Sequence, residues 1–209
     1  MKTTSCIKND QIHDRSNNLS SIVSNRNIVK LAAIATITAG DPAPRKTEFT
    51  KEGKPFVRAG SLSELIDGSA VSNLEKLDDE TAKQKKMKLF PTGTVIFAKS
   101  GMSCLTGNIY VLPEPCYVVS HLACIITSGE LAEYLRYYFE FDKPCTLIEN
   151  ASFPSIRLSK ISNMAIPLPD EAEMLRQTAV LKSVDKLKGQ YRLQLHKLDN
   201  LIKSRFVEM

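Results

Sequence analysis

The last 40 residues of the chain restrict its fold most, because their pattern predicts one long helix. From residue 170 to residue 209 there is no proline, and Gly189 is the only glycine. A helix of this length would extend about 60 Å. Apolar side chains occupy a and d positions of a heptad repeat, the pattern of a coiled coil, at Val180, Val184, Leu187, Tyr191, Leu198 and Leu201.

The apolar stripe on this helix needs something to cover it. Leu181, Leu195 and Ile202 widen the stripe on one side, and the polar Gln194 at a d position can set the register of pairing. The helix can pack back onto its own domain, or it can pair with a helix of a partner or of a second copy. Because one domain of this size cannot cover a stripe about 60 Å long, we favour pairing.

The region before the helix has the mixed pattern of an α+β domain. We expect a globular domain with a mixed β-sheet and helices over residues 27–169, followed by a coiled-coil-type helix over residues 170–209. Residues 1–26 are polar, rich in Asn and Ser, and without sustained periodicity. We interpret them as a loosely ordered leader.

Several segments of this region have clear local patterns. Apolar, β-branched runs at residues 94–98, 108–112 and 117–127 predict three strands. Residues 128–141 predict an amphipathic helix, with Ser128 as its candidate N-cap.

Other segments predict loops and short elements. Residues 41–55 contain three prolines and one glycine, which predicts a long loop. A strand running into a glycine turn is expected at residues 56–62, and a short helix within residues 77–90, where acidic residues come first and basic residues last. Residues 149–169 are interpreted as a loop, a short apolar segment and a proline stop.

Positive charge is clustered, although the formal net charge of the chain is only +5. Residues 81–100 contain Lys83, Lys85, Lys86, Lys88 and Lys99 and no acidic residue. Residues 42–58 also contain several basic residues. A surface with clustered positive charge attracts polyanions, nucleic acid first among them. The alternative interpretation is a solvated face of lysines.

The segment IFAKSGMSCLTGNI, residues 96–109, bears on whether the chain is an enzyme. A Walker loop requires GxxxxGK[ST] followed by a helix, whereas here Lys99 and Ser100 precede Gly101 and a strand is predicted next. The sequence also lacks a GxSxG nucleophile elbow, a GxGxxG dinucleotide loop and paired carboxylates for metal-dependent cleavage. We therefore expect a binding module with no catalytic residue and no cofactor.

Neither the cysteines nor the histidines indicate a metal site, since none of them has the spacing of a zinc ligand set. Cys116 and Cys124 are expected in the core, whereas Cys104 is a candidate for exposure. No apolar run approaches the roughly 18 residues of a membrane span, and the start of the chain does not resemble a secretory signal. We expect no membrane partner and a cytoplasmic location.

Taken in order, these segments resemble half of a specificity subunit of type I restriction–modification systems. GKPFVRAGSL resembles the family's Gly-x-Pro-aromatic-x-Arg segment, and LFPTGTVIFAKSG resembles its Pro-x-Gly-Thr hairpin. ISNMAIPLPDEAEMLRQ resembles the end of a recognition domain and the start of the family's helix, although the usual Pro-Pro-Leu-x-Glu-Gln is only partly matched. A full subunit carries two recognition domains, so the resemblance, which covers residues 27–209, implies a half-subunit.

The resemblance implies a DNA-binding function without chemistry of its own. In the family, each target-recognition domain reads one half of a split target in double-stranded DNA. The helices space two such domains and dock methyltransferase subunits, and the restriction subunit is a further candidate partner. A half-subunit would restore the two-domain form as a homodimer, or by pairing with another half-subunit, through its helix.

The candidate contacts to DNA are basic and small polar residues in the loops. They are Arg45, Lys46, Thr47, Arg58, Ser61, Lys99, Ser100, Ser103, Asn150, Ser152 and Arg157. The candidate helix interface is formed by Val180, Val184, Leu187, Tyr191, Leu198 and Leu201.

Less specific interpretations stay open beside these. Arg58 and Arg157 can brace a loop through carbonyl groups, and Gly101 and Gly107 are better explained as turn formers than as ligand contacts. The whole chain can also be an interaction fragment that binds methyltransferase or specificity subunits through its helix without reading DNA.

Overall fold

The chain divides into two compact units in a computed structural model that describes residues 27–127 and 129–207. One unit ends at Pro169 and the other begins at Asp170. The first contains short strands and helices, and the second is a single helix, which confirms the predicted α+β class with a long C-terminal helix. The predicted leader at residues 1–26 and the predicted N-cap Ser128 lie outside the described residues.

The elements of the first unit are short, and among the described residues none exceeds the 12 residues of its fourth helix. In chain order they are β1 Asn27–Lys30, α1 Leu31–Ile34, β2 Thr36–Ala39, β3 Lys54–Val57, α2 Leu62–Ile66, β4 Lys76–Leu77, α3 Asp79–Gln84, β5 Leu89–Phe90, β6 Val95–Ala98, β7 Ile109–Val111, β8 Cys116–Val118, β9 Leu122–Ile126, α4 Glu130–Phe141, α5 Leu158–Ser162 and β10 Ala165–Leu168.

The strands form three separate sheets. One four-stranded sheet has the order β2-β9-β6-β7, with every pair antiparallel. The other has the order β4-β3-β8-β5, in which β3 and β8 run parallel. A two-stranded sheet pairs β1 with β10. Because β1 and β10 stand at opposite ends of the first unit's sequence, their pairing closes that unit.

The core lies where α4 packs on β6 and β7. Every residue of β6 is buried, as expected for a continuous apolar strand with both faces covered. Leu135 and Phe139 of α4 are also buried, and the Phe139 ring meets the Phe97 ring edge-on at 5.6 Å. The predicted helix at residues 128–141 is therefore confirmed, and its apolar face is the one that packs.

The short helix predicted within residues 77–90 is confirmed as α3. Asp78 precedes it in extended conformation, and its carboxylate accepts a hydrogen bond of 2.7 Å from the Thr81 backbone N–H. This bond lowers the pKa of Asp78. Asp79 and Glu80 follow in the first turn, where acidic side chains favour the helix dipole.

The single strand predicted at residues 117–127 is wrong, because the segment forms two strands in different sheets. Between β8 and β9 the chain makes a tight turn, in which the Leu122 N–H donates to the Val119 carbonyl at 3.0 Å. Val119 bridges to Asp41, and the Ser120 N–H donates to the Asp41 carbonyl at 2.8 Å. Because of these contacts with Asp41, β8 stops before Val119, and β9 begins at Leu122.

Residues 149–169 carry more regular structure than predicted. They contain α5 and β10, and Pro167 of β10 pairs with Ile28 of β1. Proline, which has no backbone N–H to donate, fits here because β10 is an edge strand that is hydrogen-bonded to β1 alone.

The second unit is the helix α6, Glu171–Val207. With 37 residues it is about 55 Å long. Asp170 caps its start, since the Asp170 carboxylate accepts a hydrogen bond of 2.8 Å from the Glu173 N–H. Its six heptad residues named above are each between 40% and 64% exposed.

Candidate nucleic-acid interface

The ends of several strands meet at one edge of the first unit and place the candidate residues there. Since β3 and β8 are parallel, their carboxyl ends lie side by side, and the Val119 N–H donates to the Val57 carbonyl at 3.0 Å. Arg58 follows Val57 directly. Its side chain therefore starts next to the turn between β8 and β9.

The end of β6 meets the same turn. The last residue of β6, Ala98, pairs with the first residue of β9, Leu122. Beyond that pair, the Lys99 N–H donates to the His121 carbonyl at 2.9 Å, and Ser100 Oγ lies 2.8 Å from His121 Nδ1. Two predicted residues, Lys99 and Ser100, are thereby fixed next to the turn that also lies beside Arg58.

A second loop pairs with this segment. The Ile156 N–H donates to the Lys99 carbonyl at 2.7 Å, and the Gly101 N–H donates to the Pro154 carbonyl at 3.0 Å. Ser100 and Ser155 lie opposite each other in an antiparallel bridge. Residues 99–101 and 154–156 thus form a short two-stranded ribbon, and Met102 and Phe153 lie next to it at one end, which we call its tip. Residues of two loops far apart in the sequence meet in the ribbon.

Gly101 is needed where the ribbon turns away from β6. Its φ is +78°, a conformation that residues with a side chain rarely adopt. Gly107, at the other end of the same loop, also has a positive φ of 65°. The interpretation of both glycines as turn formers is confirmed.

The loop that leads into the ribbon carries Asn150 and Ser152. Both are exposed, and Asn150 Oδ1 accepts a hydrogen bond of 2.9 Å from the Ser152 N–H, so the loop is held by a local turn. Arg157 follows the ribbon as the exposed residue before α5. Lys160 pairs with Glu149 and, together with the more distant charge of Arg157, lowers the pKa of that carboxyl group.

Arg58 is held by an acidic and two aromatic side chains. Its Nε donates to Glu75 Oε2 at 2.7 Å, and its guanidinium carbon lies 5.1 Å and 5.3 Å from the ring centroids of Phe49 and Phe56. The expected brace is therefore present, but its partners are a carboxylate and aromatic rings instead of carbonyl groups. The side chain stays about one third exposed, at 37%.

Arg45, Lys46 and Thr47 lie together in the loop between β2 and β3, and all three are exposed. Their turn is closed by a hydrogen bond of 2.6 Å from the Arg45 N–H to Glu48 Oε2. Glu48 also pairs with Lys85 at 3.0 Å, and this pair is the largest cause that lowers the pKa of Glu48. These contacts join the turn to the end of α3, not to the ribbon.

Ser61 and Ser103 are predicted contacts that lie outside the ribbon. Both are half-buried in short 3-10 turns, where the Ser61 N–H donates to the Arg58 carbonyl and the Ser103 carbonyl accepts from Thr106. The four lysines of residues 83–88 are exposed. Lys85 is paired with Glu48, so the lysine cluster is partly neutralised.

Three residues at this edge escaped the sequence analysis. His121 was considered only as a metal ligand, whereas it holds Ser100. Met102 and Phe153 are 70% and 81% exposed at the tip of the ribbon. Phe153 is a large apolar residue within the polar, proline-containing loop NASFPS. This pattern could have marked it in the sequence as a candidate binding residue.

The expectation that Cys104 is exposed is wrong. The chain forms a 3-10 turn over Met102–Leu105, and Cys104 is buried within it at 1% exposure. Desolvation raises the pKa of its thiol to about 11, against a smaller opposing effect of the Lys99 charge. Cys116 and Cys124 are buried as predicted, and desolvation raises the pKa of both thiols.

We expect Cys104 to resist alkylation in the folded chain. A pKa raised from 9.0 to about 11 lowers its thiolate fraction at pH 8 about a hundredfold, and burial blocks access as well. Iodoacetamide labelling followed by mass spectrometry of the peptide should show slow modification in buffer and fast modification in urea. Equal rates in the two conditions would contradict the buried position.

The part of the chain that the structure describes contains neither a metal site nor a membrane-spanning helix. No cluster of three or more His, Cys, Asp or Glu side chains is arranged to hold a metal ion. Within the same residues, no helix combines the length and the apolar character that crossing a membrane requires.

Comparison with known proteins gives a consistent assignment. The family model described as type I restriction modification DNA specificity domain matches residues 24–202. The MjaIX type I restriction enzyme specificity subunit of Methanocaldococcus jannaschii is 27% identical over 155 residues, which is 69% of this chain and 34% of that protein. The chain thus spans about a third of the length of that curated relative.

Solved structures share the fold. The HsdS subunit of Thermoanaerobacter tengcongensis matches 77% of this chain and 37% of its own, with a TM-score of 0.57 and 22% identity. The type I S subunit of M. genitalium matches 78% of this chain and 40% of its own, with a TM-score of 0.54 and 14% identity.

A chain from a structural study of type I R-M complex assembly matches 81% of this chain and 43% of its own, with a TM-score of 0.58 and 19% identity. The resemblance drawn from the motifs is confirmed, because the family model covers both the strand-rich unit and most of the long helix. The chain belongs to the type I restriction modification DNA specificity domain family.

Proposed function

We propose that the first unit binds double-stranded DNA in a sequence-specific manner and reads one half of a split target. The observation that carries this proposal is the ribbon of residues 99–101 and 154–156, which brings predicted contacts from two distant loops to one edge. A two-stranded ribbon has the dimensions that the major groove admits. Membership of a DNA specificity family makes DNA the expected polyanion.

The charges at this edge support binding to phosphates. Lys99 lies opposite Ile156 at one end of the ribbon, and Arg157 follows Ile156 at that same end. Neither forms an ion pair with any residue that the structure describes. Such side chains can neutralise backbone phosphates without reading sequence. The hydroxyl groups of Ser100, Ser152 and Ser155 can donate to or accept from base edges, which is where sequence would be read.

We propose that the helix α6 pairs with a second helix and so brings in a second recognition unit, which reads the other half of the target. The exposed heptad stripe of α6 supports pairing with the helix of a second copy or of another half-subunit. Two identical units related by a two-fold axis would read a split palindrome. The same helix would dock methyltransferase subunits, and the restriction subunit is a further candidate partner.

In this proposal the other subunits carry out methylation and cleavage, and the complex acts in the cytoplasm. The first unit would select the site at which they act.

We expect the purified chain, alone or with a type I methyltransferase subunit, to enrich a defined sequence from a random duplex library. The affinity for the enriched duplex should fall as salt rises, because binding releases counterions from the phosphates. The double variant Lys99→Gln/Arg157→Gln should weaken binding and lower the slope of log affinity against log salt by about two.

The matched control removes two exposed charges from the second unit, Lys186→Gln/Arg192→Gln, and should leave the slope almost unchanged. Co-purification with the methyltransferase subunit but no enrichment of any sequence would contradict the proposal. It would favour an interaction fragment that binds through its helix without reading DNA.

A further inference from the structure

The tip of the ribbon presents two large apolar side chains to solvent. Along residues 153–157 burial alternates, with Pro154 and Ile156 buried and the residues between and beside them exposed. Side chains of an extended segment point alternately to opposite faces. Phe153, Ser155 and Arg157 therefore share the outward face, while the buried pair anchors the segment to the core.

Met102 belongs to the same tip. The bridge between Ser100 and Ser155 and the bond between Gly101 and Pro154 fix an antiparallel register. Met102 follows Gly101 and begins a 3-10 turn, and Phe153 precedes Pro154, so both residues leave the same end of the ribbon. These two residues are 70% and 81% exposed. A partner that covers these two side chains gains affinity, because removing apolar surface from water is favourable.

The surroundings of the tip indicate the chemistry of that partner. Arg157 shares the outward face with Phe153 and lies with Lys99 at the other end of the ribbon, and the exposed Ser155 stands between them. The apolar tip is therefore followed by a hydroxyl group and then by positive charge. An extended segment advances about 3.3 Å per residue, which places Arg157 roughly 13 Å from Phe153. The major groove is about 12 Å wide and about 8.5 Å deep, so a segment of this length can contact a base edge through Phe153 and a backbone phosphate through Arg157.

We propose that the tip enters the major groove and that Phe153, with Met102 beside it, contacts the 5-methyl group of a thymine. This inference rests on the proposed DNA-binding function and deepens it, because it names the residue that selects one base. The thymine methyl is the apolar group that the major groove displays, and an aromatic ring is a suitable partner for it. The flanking hydroxyl groups would meet the polar atoms of the same or the next base pair.

The test uses the duplex that the full chain enriches from the random library, with each thymine replaced in turn by deoxyuridine. Deoxyuridine keeps base pairing and O4 but lacks the methyl group. At one thymine we expect the affinity of the wild-type chain to fall about fourfold, as for loss of one buried methyl-sized group. Phe153→Ala should bind the thymine duplex more weakly and should no longer distinguish thymine from deoxyuridine at that position.

Phe141→Ala is the matched control, because Phe141 is also an exposed phenylalanine, at 88%, and lies outside the ribbon at the end of α4. It should retain the wild-type discrimination. If no deoxyuridine weakens the wild type, or if Phe153→Ala discriminates as well as the wild type, the inference is wrong although the proposed function stands. If a fluorescent base analogue at the site reports unstacking, Phe153 acts as a wedge and the methyl contact is likewise refuted. If no sequence is enriched at all, the proposed function fails first.

Discussion

Replacing Leu187 and Leu198 with glutamate should convert a paired chain into a monomer. Both residues lie on the heptad stripe of α6 and are more than half exposed, at 52% and 54%. Burial of each leucine in a pair is worth about 2 kcal/mol, and two identical helices would bury four of them. The double variant Leu187→Glu/Leu198→Glu also places carboxylates in an apolar seam. The pairing affinity should therefore fall by several orders of magnitude.

Sedimentation or light scattering at micromolar concentration measures this effect as a halved mass. Leu193→Glu is the matched control, since Leu193 is 56% exposed but stands on the opposite side of the helix from the stripe. It should leave the mass of the pair unchanged. A wild-type chain that is already monomeric, or a double variant with the mass of the wild type, would refute self-pairing.

The long helix was predictable because its signals are local. The absence of proline after residue 169 and the heptad spacing of apolar residues are visible in the sequence without knowledge of the rest of the fold. The same holds for β6, which is a continuous apolar run, and for α4, whose apolar residues recur at helical spacing. For these elements, local preference and tertiary packing agree.

The candidate site was predictable only in part, because its geometry depends on contacts between distant segments. Lys99 and Arg157 were expected at the interface, but the ribbon that joins their loops is made by backbone hydrogen bonds that carry no residue signature. The split of residues 117–127 into β8 and β9 has the same origin, since Asp41 supplies the contacts that end β8. Cys104 was predicted to be exposed, but it is buried because a 3-10 turn directs its thiol into the core.

The turn between β8 and β9 contacts the segments that carry Arg58, Lys99 and Ser100. Gly40 allows the chain to pass close to this turn. The end of β2 passes so close to β8 that a Cβ on Gly40 would lie 2.0 Å from the Val118 carbonyl oxygen and 2.5 Å from the Val119 carbonyl oxygen. Gly40 is not among the glycines with positive φ, so the requirement for glycine here is the close approach and not the backbone conformation.

Gly40→Ala should therefore destabilise the chain by about 3 kcal/mol, the upper end of the cost of overpacking a core. For a chain of this size, thermal unfolding should begin about 6–12 °C lower. Relief of the clash requires residue 40 and the Val118–Val119 segment to move apart, and the turn that follows Val119 holds Lys99 and Ser100 through His121. We also expect weaker DNA binding at temperatures where the variant is still folded.

Gly60→Ala provides the control, because a Cβ on Gly60 would meet no atom within 4 Å. Its effect on stability should stay within about 0.5 kcal/mol, as for a substitution without contacts. Thermal unfolding followed by circular dichroism compares the two variants directly. Equal melting temperatures would show that β2 and β8 do not approach as closely as described, and that the edge is supported in another way.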